Sequence, residues 1–306
     1  PSPLTIRPFM ETDADGVSDL FRVVYGDCYV YPDVYLPTMI RRHNALQRWH
    51  SAVAVMGEQI VGHAVLWRHA DTPDQAEFAL NVVHPMARGN GIATHLARHL
   101  CDYAREQGLS MLTIKQVSSH GQSQRLANTL GFHTTALMLD YVDSPFGNDW
   151  RESIVLGCLP LQPHPIPALD WPNHWRDWVS PITRYFGSCP APADTPTTLP
   201  LTIASREHRI EVTLHDLHPA HVDEVAKLPT ERLIYLKLAL TLDTPIALQQ
   251  LEQAGYRCAG LVPGPQQHWF ALLLRGYHAH ELELRCPIAM ALYQCHGHFE
   301  PRREVA

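Results

Sequence analysis

The chain has 306 residues, enough for two domains of ordinary size. Hydrophobic residues make up 45% and charged ones 18%, the balance of a folded globular protein and not of a disordered tail. A net charge of −7 excludes nucleic-acid binding that rests on bulk electrostatics, and no apolar run approaches the roughly 18–20 residues of a membrane span.

The opening Pro1-Ser2-Pro3-Leu4 has neither the basic nor the apolar segment of a signal peptide. Seven irregularly spaced cysteines, an odd number, fit reduced thiols better than a disulfide framework. A cytoplasmic location is therefore expected. Twenty histidines are read as mainly solvated imidazoles. The tail Cys286…Cys295-His296-Gly297-His298 lacks the paired spacing of a zinc site, so no metal is expected.

In chain order, residues 4–9 read as a strand, and Asp13 offers a cap to a helix with Val17, Leu20, Phe21 and Val24 on one stripe. Residues 25–32 form an aromatic loop before a short helix near Met39 to Leu46. Strands at Ser51–Val55 and Ile60–Trp67 flank a turn at residues 56–59, and a longer strand runs Glu77–Val83. Pro85 ends it. The loop Arg88-Gly89-Asn90-Gly91 then opens into a helix whose stripe is Ile92, Leu96, Leu100 and Tyr103, stopped by Gly108. A strand at Met111–Val117, a helix at Gln122–Leu130 and a strand at Phe132–Val142 complete an α/β unit with a mixed sheet.

From Leu159 the composition changes. Prolines at 160, 163, 165, 167 and 172 and a Trp-rich stretch from Trp171 to Phe186 read as a linker and packing segment over residues 159–200. A second α/β unit follows over 201–306. It has a hairpin around Glu207-His208, a helix near Pro219–Leu228, a strand at Leu233–Thr241, a helix at Thr244–Ala254, and strands at Tyr256–Val262 and Trp269–Leu274. The order of its last four elements echoes Met111–Val142, which suggests a diverged duplication.

A glycine turn that opens directly into a helix is a phosphate-binding device, because the backbone approaches closely and free N–H groups point at the anion. Here Arg88-Gly89-Asn90-Gly91-Ile92-Ala93-Thr94 is such a turn, and it is not the G-x-G-x-x-G of dinucleotide folds. At these residues the chain resembles the GNAT superfamily of acetyltransferases. That family has Arg or Gln, two residues, Gly, one residue, then Gly or Ala, and Arg88, Gly91 and Ala93 stand in those places. Val83-His84-Pro85 matches the usual entry to the loop. Thr129-Leu130-Gly131-Phe132 matches the Leu-Gly-Phe ending of the last core helix. The resemblance covers about residues 4–157.

It implies a GNAT-fold catalytic domain over 1–158 that binds acetyl-CoA or another acyl-CoA as co-substrate. Arg88, Gly89, Asn90, Gly91, Ile92, Ala93 and Thr94 would hold the pyrophosphate. Val83 would present its backbone to the pantetheine arm, in a slot between two splayed strands. Glu77 stands where the family often places a base that takes the amine proton. The Tyr that many relatives use to protonate the leaving thiolate is replaced by Ala127, which leaves His120 as a candidate for that role. Cys28, Tyr29 and Tyr31 lie where the family varies with its acceptor, so they are assigned to substrate binding. The expected acceptor is a small-molecule amine. A homodimer and an acyl-carrier-protein donor stay open, as does a protein that binds CoA without turnover. The second half lacks the Arg-x-x-Gly-x-Gly pattern and reads as a degenerate GNAT-like domain.

Overall fold

The computed structural model describes residues 2–118, 121–143, 150–194, 199–278, 282 and 284–295, without the side chains of 121–123. The chain is mixed α/β and divides into two compact units. The first comprises Pro1–His133, Tyr141–Glu152 and Leu156–Pro163; the second comprises Thr134–Asp140, Ser153–Val155 and His164–Ala306. Of the segment read as a linker and packing segment, residues 159–163 count with the first unit and those from His164 on with the second. Among the described residues no helix is long and apolar enough to cross a membrane.

In the first unit, β1 (Leu4–Pro8), α1 (Ala14–Tyr25) and α2 (Pro37–Ala45) lead into β2 (Trp49–Met56), β3 (Gln59–Trp67) and β4 (Gln75–Val83). Then come α3 (Ile92–Glu106), β5 (Met111–Val117) and α4 (Gly121–Leu130). Strands β1 to β4 pair antiparallel in sequence order, and β5 joins β4 in parallel. Alternation along the strands fills two cores. Ala52, Ala54, Leu66, Leu112 and Ile114 pack with Ile92, Leu96 and Leu100 of α3 on one face. Val53, Val65 and Trp49 pack with Val17, Leu20 and Phe21 of α1 and Ile40 of α2 on the other.

β6 (His133–Asp143) and β7 (Arg151–Pro160) each contribute residues to both units. The sequence reading had no strand at β7, because its buried run Glu152–Cys158 has apolar residues without a period-two pattern.

The second unit holds β8 (Ile166–Ala168), α5 (Asn173–Phe186) and β9 (Ser188–Pro190), then β10 (Leu201–Ser205), β11 (Ile210–Leu214) and α6 (Pro219–Ala226). It ends with β12 (Ile234–Ala239), α7 (Thr244–Gln253), β13 (Arg257–Pro263), β14 (Trp269–Arg275) and α8 (Pro287–Cys295). Trp175 and Trp178 of α5 are fully buried in it, and the Trp175 indole N–H donates to Glu252 of α7 at 2.5 Å. The Tyr235 hydroxyl donates to the Leu139 carbonyl. At Gly260, with φ of +123°, β13 comes so close to β6 that an added Cβ would lie 2.1 Å from the Thr135 carbonyl oxygen.

The strand order β10-β11-β12-β14-β13 repeats the order β3-β4-β5-β7-β6. β11 and β12 are parallel like β4 and β5, and a helix stands at each corresponding connection. α4 and α7 end alike. Gly131 and Gly255 both take positive φ, and the N–H of the following aromatic residue bonds back to Ala127 and Leu251 respectively.

Candidate active site

The site is built on an irregularity in β4. Ala76 and Phe78 face the α3 core, whereas Leu80 and Val82 face the α1 core. Residues two apart share a face in a regular strand, so this reversal needs an extra residue. It lies between Ala79 and Val82, which pair with Val65 and His63, and there Leu80 takes φ of +53°. The buried His63 ring braces it. Nδ1–H donates to the Leu80 carbonyl at 3.1 Å and Nε2 accepts from the Ser51 hydroxyl at 3.1 Å. Burial holds this imidazole neutral, with its pKa pushed down to about 4.

β4 and β5 pair only over Gln75–Phe78 and Met111–Ile114. Among the described residues no pairing between them is made beyond those. His84 N–H donates to Val61 O at 2.8 Å, and alternate residues of an antiparallel ladder turn their amides to opposite edges. Val83 therefore aims its N–H at the edge that β5 has left free. Asn81, on the same stretch, keeps a buried Oδ1 without a hydrogen-bond partner among the described residues.

After Val83, Pro85–Ala87 form a short 3-10 turn, and Asn90 Nδ2 braces the loop on the Ala87 carbonyl at 2.8 Å. Gly89 and Gly91 take φ of +86° and +67°. Gly91 is the N-cap of α3 and carries no side-chain cap. The backbone N–H groups of Gly89 to Thr94 make no hydrogen bond among the described residues. Arg88 to Gly91 are exposed beside this row of donors. Gly62 of β3 lets the start of α3 dock closely, since a Cβ there would meet Ile92 at 2.6 Å.

Glu77 stands where β4 and β5 begin to part, in register with Thr113. Its Oε1 lies 3.2 Å from Lys115 Nζ and 3.1 Å from His69 Nε2. Burial alone would raise this carboxyl, but Lys115 and His69 outweigh it and hold the pKa at about 2. Loss of water opposes the charge on Lys115 too, although its side chain is still 32% exposed. Glu77 and Tyr141, whose ring centre is 5.2 Å from Nζ, raise the ammonium above its ordinary value.

Of the residues expected to bind substrate, Tyr31 and Tyr29 stand near this cluster. The Tyr31 ring meets Trp67 at 4.9 Å, and Trp67 stacks on His69 at 5.5 Å. Tyr29 packs on Tyr25 and Phe21, and burial, with Tyr25 and Glu77 adding to it, raises its phenol well above the usual value. Cys28 is exposed, and the hydrogen bond it makes is its backbone N–H to the Tyr25 carbonyl. His120 lies outside the described residues, and Ala127 is buried on α4. His69, Trp67 and Lys115 were not legible as site residues. The signal at Lys115 was a lone cation in the strand Met111–Val117, the neighbour of the strand that carries Glu77. Among the described residues no group of three or more His, Cys, Asp or Glu is placed to hold a metal ion.

The model of the acetyltransferase (GNAT) family matches residues 16–132, which takes in α1 through α4. No curated protein matches the chain. Among solved structures, an N-acetyltransferase from Staphylococcus aureus Mu50 is 16% identical, with a TM-score of 0.47, over 53% of this chain and 100% of its own. The ribosomal-protein-S18-alanine N-acetyltransferase from Escherichia coli is 18% identical, with a TM-score of 0.44, over 52% and 95%. The protein yncA from Salmonella typhimurium, solved with its cofactor acetyl-CoA, is 23% identical, with a TM-score of 0.46, over 54% and 98%.

Proposed function

We propose, from the premise that residues 16–132 form a GNAT-family acetyltransferase domain, that this chain moves an acetyl or other short acyl group from CoA to the amine of a small molecule. The observation that carries this reading is the row of unbonded N–H groups from Gly89 to Thr94, at the mouth of the slot where β4 leaves β5. Free amides at a helix start bind an anion such as a pyrophosphate, and the Arg88 side chain adds charge beside them. The Val83 N–H, turned into the slot, is the donor for the oxygen on which charge develops when the amine attacks the thioester. The amine attacks directly, so no covalent intermediate is needed. α4 presents the buried Ala127 where relatives have a Tyr, so the thiolate is protonated by another group or leaves to water.

The second unit is best read as a diverged copy that has lost this cofactor loop. In the first unit His84-Pro85 is followed by the glycine loop before α3 starts at Ile92. In the second, His218-Pro219 runs straight into α6. Its first turn has Pro219, which lacks an N–H, and Ala220, whose N–H is capped by His218 Nδ1 at 3.1 Å. That end offers few donors to a phosphate.

Calorimetric titration with acetyl-CoA tests both statements. One equivalent per chain is expected, and Arg88→Glu combined with Gly91→Glu should abolish binding by reversing charge and straining a left-handed position. Two equivalents, or full binding by the double variant, refutes the assignment. Thiol release that rises with an added amine identifies a transferase; binding without it identifies a CoA-binding protein.

A further inference from the structure

Four groups with exchangeable protons stand together where the slot opens: Glu77, Lys115, His69 and Tyr29. Glu77 has little affinity for a proton, because its charge is already committed to Lys115 at 3.2 Å and His69 at 3.1 Å. Lys115 is held as an ammonium and has no lone pair to offer. The Tyr29 phenol is held protonated by burial and by the negative charge of Glu77. The imidazole differs from all three. A carboxylate can only accept, so in the neutral ring Nε2 carries the hydrogen given to Glu77, and Nδ1 keeps its lone pair. The side chain is 40% exposed, and Nδ1 makes no hydrogen bond among the described residues. Trp67 holds the ring flat from below at 5.5 Å. A carboxylate that fixes an imidazole through one nitrogen while the other works on substrate is a proven arrangement for proton transfer.

We propose that His69 takes the proton of the attacking amine through Nδ1, and that Glu77 is a positioning residue that fixes the ring and balances its charge. This rests on the acyl-transfer reading above. The amine lone pair attacks the thioester carbonyl and a C–N bond forms. The N–H proton passes to Nδ1, and the C–S bond breaks with its electron pair leaving on sulfur. The imidazolium then returns its proton to water or to the thiolate. The groups around His69 are Glu77 from β4, Lys115 of β5, which shares Glu77 Oε1 with it, and Trp67 from β3, with Tyr29 from the loop after α1 close enough to feel the charge of Glu77.

The test is kcat/KM against pH for the intact chain, with acetyl-CoA and a panel of phenethylamine, spermidine and lysine, read as released thiol. His69→Ala should lower kcat/KM by about 10²-fold near neutrality, within the usual range for losing a proton acceptor, and the loss should shrink at high pH, where the amine is already neutral. Its affinity for acetyl-CoA by calorimetry should be unchanged. His69→Gln, which keeps a flat group against Trp67, should show the same loss and guards against a folding defect. Glu77→Gln should lower kcat/KM by about 10-fold with unchanged affinity for acetyl-CoA, and Glu77→Asp should recover part of the loss, since the ring keeps its lone pair but is held less firmly. A His69→Ala or His69→Gln enzyme with the wild-type rate across the pH range overturns the proposal and leaves acyl transfer standing. A wild-type protein that releases no thiol with any of the amines overturns both.

Discussion

At the scale of single residues, the chemistry of this chain depends on charges that hold one another. Glu77 is a strand carboxylate in the sequence and a member of a three-group cluster in the fold, with Lys115 arriving from a strand 38 positions on (115 − 77). That pairing lowers its affinity for a proton, because an ammonium and an imidazole already balance its charge. His63 shows the opposite case of an imidazole stripped of solvent. Its folded pKa is about 4 against an ordinary 6.5, so between those values the unfolded chain binds more protons than the folded one. Stability is therefore complete above pH 6.5 and falls as the pH drops toward 4, by up to roughly 3 kcal/mol from this ring. His50, whose pKa burial also lowers to about 4, acts in the same direction. Thermal melts from pH 7.5 to 4 should show the loss, and His63→Gln should flatten it. A flat profile for the wild-type protein would show that the ring is not buried as described.

At the scale of elements, two departures from regular strands matter most. The bulge at Leu80 turns β4 over, and His63 pins it by holding the Leu80 carbonyl. The second is Gly260, where β13 passes within bonding distance of β6. Gly89 and Gly260 both have positive φ, yet a Cβ on Gly89 meets nothing within 4 Å and one on Gly260 runs into backbone. Gly89→Ala should then cost about 1–2 kcal/mol from its left-handed backbone alone. Gly260→Ala adds an overlap that only main-chain movement relieves, and should cost about 2–4 kcal/mol. Melting temperatures of the two variants give the comparison. Equal losses would mean that β13 has room at Gly260.

At the scale of the whole chain, the unit boundaries do not follow the sequence boundary at residues 158–159. Thr134–Asp140 and Ser153–Val155 count with the second unit, where Ala136 pairs with Gly260 and Leu139 accepts from Tyr235. A chain ended after Gln162 keeps the glycine loop but strips those strands of their partners. Such unpaired apolar strand edges drive association. The fragment should be recovered mainly in the insoluble fraction, and its soluble part should bind acetyl-CoA poorly. A soluble, monomeric fragment with full acetyl-CoA affinity would show that the first unit needs nothing beyond residue 162.

The sequence by itself determined what local rules can specify. Gly89 and Gly91 before an amphipathic stripe define a helix start open to an anion, and the second half has no such pattern. The Trp-rich stretch from Trp171 to Phe186 marked a packing segment, though not which unit would bury it. The order of the last four elements of the second half, set beside Met111–Val142, suggested a duplication, whereas the strand order came only with the fold. What only the tertiary structure decided is everything set by residues distant in the chain. An extra residue in β4 is invisible until β3 is paired against it, and the ionisation of Glu77 is unknowable until Lys115 and His69 stand beside it. Both follow from one physical cause: alternation and capping are nearest-neighbour properties, whereas a charge answers to whatever the fold brings within a few ångströms of it.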